Sequence, residues 1–139
     1  MKKKIIDDIV LDLVNKVGTN NISDILDYLD IKIIKSTSNK TFFLQTAKEK
    51  YIFLSNTVNE NIKNFVIAHE IGHALLHDVE IINYSKLSIN KSIYEREADY
   101  FAFKLLNKEI DPLFEYTKEQ YANLLGVNEE VLEYIVDNK

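Results

Sequence analysis

Cysteine is absent from this 139-residue chain. Its absence excludes disulfides, thiolate zinc sites, iron–sulfur clusters and cysteine nucleophiles. Arginine is almost absent: Arg96 is the only one among 17 basic residues, so bidentate clamps on phosphate are nearly unavailable. Positive charge is itself in deficit, 17 basic against 22 acidic residues for a net charge of −5. That is the wrong sign for a general nucleic-acid binder, and no direct nucleic-acid partner is expected. No run approaches 18 apolar residues, so neither a transmembrane helix nor a membrane partner is expected. The basic start Met1-Lys2-Lys3-Lys4 is followed by Asp7, Asp8 and Asp12, which interrupt what would be a signal-peptide core. The expected location is cytoplasmic. What remains is an ordinary globular mix, 46% apolar and 28% charged, which argues against wholesale disorder.

Ile5, Ile6, Ile9, Val10, Leu13, Val14 and Val17 recur at helical spacing, with Gly18 as a stop. Ile22, Ile25, Leu26 and Leu29 mark a second, short helix. Runs at 31–34, 41–45 and 51–55 are short and rich in β-branched and aromatic residues, with polar turns at 36–40 and 47–50. They predict a small antiparallel sheet of about three strands. A long helical pattern covers about 59–77, 79–91 reads as a loop, and another helix spans about 92–106. Residues 117–137 read as two short helices around Gly126, with Thr117 and Gln120 at capping-box spacing and Asn128 placed to cap the second. The fold class expected is α+β, a sheet packed on a helical core. No repeat or linker divides the chain, so one domain is expected over 1–139.

All three histidines fall in His69-Glu70-Ile71-Gly72-His73-Ala74-Leu75-Leu76-His77, whose first five residues form HExxH. On an α-helix, positions i and i+4 differ by about 40° in azimuth and about 6 Å along the axis. His69 and His73 can therefore converge on one metal ion. Glu70 stands on the flank of that face, suited to be a base rather than a ligand. The helix is otherwise largely apolar, and burying two histidines and a glutamate in it is costly unless a cation compensates. The bland alternative is a helix with a few polar residues on an exposed edge.

A catalytic site needs a third protein ligand. His77 lies about 12 Å along the axis from His69, too far to share the ion. An Asp or Glu from another element is required. The best segment is Tyr94-Glu95-Arg96-Glu97-Ala98-Asp99-Tyr100. Glu95 and Asp99 share a helix face, so one can bind metal while the other accepts the second N–H of a ligating histidine. Glu95 is the favoured ligand, with Asp99 and Glu97 as alternatives. Glu97 is expected to face solvent beside Arg96. Ser92 and Glu95 also have capping-box spacing, which offers Glu95 a purely structural role.

The run from His69 to His77, followed roughly twenty residues on by Glu95-Arg96-Glu97-Ala98-Asp99-Tyr100-Phe101-Ala102, resembles the ImmA/IrrE family of small HExxH metalloproteases. The resemblance covers roughly 50–107. A strand at 51–55 before the motif and a Leu-Leu-Gly-Val turn at 124–127 also fit. The first 35 residues carry little of it. The resemblance implies a gluzincin-like zinc site with His69, His73 and Glu95 as ligands and Glu70 as catalytic residue, which leaves Asp99, on the face it shares with Glu95, as the group behind a ligand. It also implies a substrate class, a helix-turn-helix repressor of a phage or mobile element. On this reading the single metallopeptidase-like domain has N-terminal helices in 1–35, sheet and metal-site helices in 36–107, and a helical pair in 108–139.

Further expectations follow. The substrate would lie as an added strand along 51–55. Tyr84, Tyr94 or Tyr100 would help stabilise the oxyanion. His77 would be structural, sitting partly positive near a helix C-terminus. The segment 117–137 resembles a helix-turn-helix, but Glu129, Glu130 and Glu133 in its second helix would repel phosphate. Packing support or partner docking is the favoured role. The alternative to a zinc protease is a non-enzymatic binding module, an antirepressor or toxin–antitoxin component with a structural or vestigial metal site. Glu70 argues against it, because structural zinc needs no base. Oligomeric state is not legible.

Overall fold

A computed structural model of the chain describes residues 1–77, 91–106, 117–125 and 129–136. The expected loop at 79–91 falls almost wholly outside them. Helix α1 (Lys3–Val17) buries Ile6, Val10 and Leu13. It stops at Gly18, whose φ of 90° is left-handed and whose N–H bonds to Val14 O at 2.7 Å. Glycine takes that conformation without a Cβ penalty. Helix α2 (Ile22–Leu29) opens on Asn21, whose side chain accepts from Asp24 N at 3.3 Å, and buries Ile22, Ile25 and Leu26.

Three strands follow: β1 (Ile31–Ser36), β2 (Phe42–Gln45) and β3 (Lys50–Ser55). Their order is β1-β3-β2, with β1 parallel and β2 antiparallel to β3. The α+β class holds, but the sheet is mixed rather than wholly antiparallel. The chain leaves β1, forms β2 and returns through the gap between them, so β3 runs in the direction of β1. Turn residues mark where strands end and leave open which strands become neighbours. Ile33, Ile52 and Phe43 share one row on the core face, and Ile34, Phe53 and Phe42 share one on the other. On that outer face Phe42 stacks on Phe53 at 4.8 Å.

A 3-10 turn at Glu60–Ile62 leads into α3 (Lys63–Leu76), and α4 spans Lys91–Leu105. Ile6, Ile25, Ile52, Ile71, Phe101 and Leu105 are the largest fully buried side chains, so α1, α2, β3, α3 and α4 meet in one core. Each such side chain contributes about 1.5–3 kcal/mol of burial. Gly72 lets α3 approach α4 closely: a Cβ there would sit 3.1 Å from Phe101 Cδ1 and 3.2 Å from the Ala98 carbonyl.

Helices α5 (Lys118–Leu125) and α6 (Glu129–Val136) complete the described chain. The expected capping box is present: Thr117 N donates to Gln120 Oε1 at 2.9 Å and Gln120 N to Thr117 Oγ1 at 3.1 Å. Leu132 and Ile135 are buried, and the Tyr134 ring receives the Lys3 ammonium at 4.7 Å and the Arg96 guanidinium at 5.0 Å. The apolar face of α6 is thus used in packing. Among the described residues no helix is long and apolar enough to cross a membrane.

Candidate metal centre

The HExxH residues lie inside α3, and Glu95 and Asp99 lie inside α4. Because the two helices pack so closely at Gly72, short side chains can bridge them. His69 Nε2 is 3.1 Å from His73 Nε2 and 2.9 Å from Glu95 Oε2, and His73 Nε2 is 3.2 Å from Glu95 Oε1. Among the described residues His69, His73 and Glu95 form a group able to hold a metal ion, their ligand atoms all within 4.8 Å of one another. Tetrahedral zinc with bonds of about 2.0–2.1 Å places its ligand atoms about 3.3 Å apart, close to this spacing. Asp99 Oδ1 accepts from His69 Nδ1 at 2.6 Å, leaving Nε2 as the side of that ring aimed at Glu95. Glu70 is buried next to His69 in the same helix.

The electrostatics agree with a cation. Burial alone would pull His69 down, but the bonded carboxylates Asp99 and Glu95, with Glu70 nearby, outweigh it and push its pKa up to about 10. Burial would likewise raise Glu95, yet its bonds to His69 and His73 hold its carboxyl well below the usual carboxylate range. Carboxylates gathered around two imidazoles make a negative site that favours positive charge. The donor set of two nitrogens and a carboxylate, with no sulfur, suits zinc.

A family model described as the IrrE N-terminal-like domain matches residues 26–136. Metallopeptidase ImmA of Bacillus subtilis (strain 168) is 33% identical over 132 residues, covering 84% of this chain and 75% of that protein. The chain belongs to the ImmA/IrrE family. A second relative, "Uncharacterized immunity region protein 2" of Bacillus phage phi105, is 30% identical over 118 residues, covering 80% of this chain and 70% of its own. No solved structure gives a significant match. The family is one of peptidases, and the ImmA/IrrE match spans α3 and α4, the two helices that carry the cluster.

Several expectations for this ImmA/IrrE chain need correction. Glu95 does not close a helix start: its oxygens lie on His69 and His73, and Ser92 is already within α4. Glu97 does not face solvent. It is 3% exposed and accepts from His77 Nε2 at 2.9 Å, with its other oxygen 2.6 Å from the Met1 amino group, an ion-pair distance. His77 does sit at the C-terminus of α3, as its C-cap in extended conformation, but nothing there favours a positive imidazole as strongly as expected: burial pulls its pKa below the usual value against the pull of Glu97. Tyr100 points away from the site and donates to Asp7 Oδ1 at 2.7 Å. Tyr94 packs on the His77 ring at 4.7 Å, and Tyr84 lies outside the described residues. The strand 51–55 has no free edge, since β3 is paired on both sides.

Proposed function

We infer that the chain is a zinc-dependent endopeptidase that cuts a helix-turn-helix repressor of a phage or mobile element. The observation that carries this reading is the convergence of His69, His73 and Glu95 from two helices, with buried Glu70 one residue from a ligand. His69 and His73 are the nitrogen ligands, Glu95 is the third, and Asp99 orients His69 by accepting its Nδ1–H. Zinc, when bound, supplies a Lewis acid that activates water and polarises the scissile carbonyl. Glu70 takes the proton from the attacking water and passes it to the leaving amine. The peptide adds as a strand to the outer edge of β2, which is unpaired among the described residues and belongs to a strand that packs against α3. The immunity-region relative of a phage supports a repressor as substrate.

The test is incubation of the purified protein with repressors encoded beside its gene, with zinc and with chelator. Cleavage is expected with zinc alone. Glu70→Gln lowers cleavage by about 10²–10⁴-fold, the usual share of a general base, and leaves zinc content intact. Full activity of Glu70→Gln would remove the residue from the mechanism. Stoichiometric repressor binding without any cleavage would favour the non-enzymatic antirepressor.

A further inference from the structure

A chain of buried side chains leads outward from His73. His73 Nδ1 lies 3.0 Å from His77 Nδ1, and His77 Nε2 lies 2.9 Å from Glu97 Oε1. The side chains of His77 and Glu97 are only 3% and 4% exposed. His77 reaches this place because α3 ends at Leu76. Its backbone turns to φ −126°, ψ 147°, while its N–H still bonds to His73 O at 3.1 Å.

We propose that His77 and Glu97 are positioning residues that fix the tautomer and ring orientation of His73, and thereby set how tightly the site holds its metal. This rests on the reading of His73 as a ligand. The assignment follows from counting donors. An ionised carboxylate only accepts, so the proton of His77 sits on Nε2, facing Glu97. A neutral imidazole carrying its proton there has a bare Nδ1. That nitrogen accepts the Nδ1–H of His73, which leaves the lone pair of His73 on Nε2, 3.1 Å from His69 Nε2 and 3.2 Å from Glu95 Oε1. The opposite tautomer of His77 sets two N–H groups against each other at 3.0 Å and turns a bare nitrogen to Glu97. The Tyr94 ring, 4.7 Å from that of His77, holds it in place. His69 has the same kind of support in one step, from Asp99. His73 receives it in two, through an imidazole.

The test is zinc affinity by chelator competition, with the absorption spectrum of the cobalt-substituted protein. His77→Leu keeps an apolar body but removes the acceptor, and weakens zinc binding about 10–100-fold with a shifted cobalt spectrum. His77→Asn puts Oδ1 where Nδ1 was and restores affinity and spectrum toward wild type. Glu97→Leu frees His77 to change tautomer and weakens binding as well. Nitrogen-15 spectra of the unaltered protein show the His77 proton on Nε2. This measurement decides the matter even where His77→Leu does not fold. A His77 proton on Nδ1, or a folded His77→Leu with wild-type zinc affinity and spectrum, overturns the proposal. A wild-type protein that binds zinc but cleaves nothing defeats the peptidase reading and leaves this inference standing. A His77→Leu protein with unchanged zinc binding and cleavage does the reverse.

Discussion

Where α3 meets α4, two seams run side by side. In one, Gly72 lies against Ala98 and Phe101, where a Cβ would press on its neighbours at 3.1–3.2 Å. In the other, His69 and His73 meet Glu95 and Asp99 through contacts of 2.6–3.2 Å. The apolar seam is close-packed and has no polar group to satisfy, so it sets the distance between the helices. The polar seam works at that distance and cannot set it, because gathered carboxylates repel one another until a proton or cation joins them. On the proposed reading, folding belongs to the first seam and metal binding to the second. The dependence is unequal: the site needs the packing more than the packing needs the site.

The largest effect that separates them is expected from Glu95→Ala. Structural zinc binds with about 10–16 kcal/mol, and one ligand's share of that is about 2.5–4 kcal/mol, so zinc affinity falls about 10²–10³-fold. The urea midpoint of the metal-free protein is expected to fall only modestly, because Glu95 also bonds the two histidines without metal, and the fold survives. Loss of fold instead would mean that the seams are one unit. Gly72→Val attacks the other seam. Overpacking costs about 1–3 kcal/mol, and here both the urea midpoint and zinc affinity drop, because α4 is pushed off. Unchanged zinc affinity in a destabilised Gly72→Val protein would show that helix spacing does not govern the site. Asp99→Ala removes the direct support of His69 and lowers zinc affinity about 10–100-fold, whereas Asp99→Asn keeps an acceptor and loses less. Equal losses would mean that charge, not the hydrogen bond, carries the role.

The smallest change is a control on a third face of α4. Tyr100→Phe removes the bond to Asp7 and costs about 1 kcal/mol near neutral pH, without touching zinc binding. Burial first, then Asp7, raises the Tyr100 pKa above its usual value near 10. A raised folded pKa means that this contribution is complete below about pH 10 and is lost as pH rises through the folded value. The gap between wild type and Tyr100→Phe, measured by urea unfolding, is therefore expected to narrow in alkaline buffer. A constant gap would remove the phenol from the alkaline response.

The sequence was most legible where a local pattern suffices. The helices ending at Gly18 and beginning at Thr117 follow from backbone conformation and capping, which depend on a few adjacent residues. His69 and His73 were readable because a fixed helical repeat places them together. Glu95 and Asp99 were readable as a pair sharing one face. The strand order was not, because a parallel partner is chosen by how the chain crosses over, and no residue in 36–50 encodes that alone. Glu97 was misread for a related reason. Helical azimuth placed it away from Glu95 and Asp99, and solvent was taken as the default there. The side chain that covers it, His77, comes from the residue where α3 has just stopped being helical. A buried polar pair formed across a helix end leaves no periodic trace. The signal available was the third histidine, four residues beyond His73 and adjoining a run too apolar to leave it unpartnered.

The interposed position of β3 has a consequence for synthesis on the ribosome. Its neighbours β1 and β2 pair with it and not with each other, so a nascent chain that has not yet extruded residues 50–55 contains none of the sheet's ladder. Until then Ile33 and Phe43, which meet only across Ile52, have no shared surface to cover. The strands of the first third thus wait for 50–55, and the ladder can begin to form only just before the HExxH helix emerges.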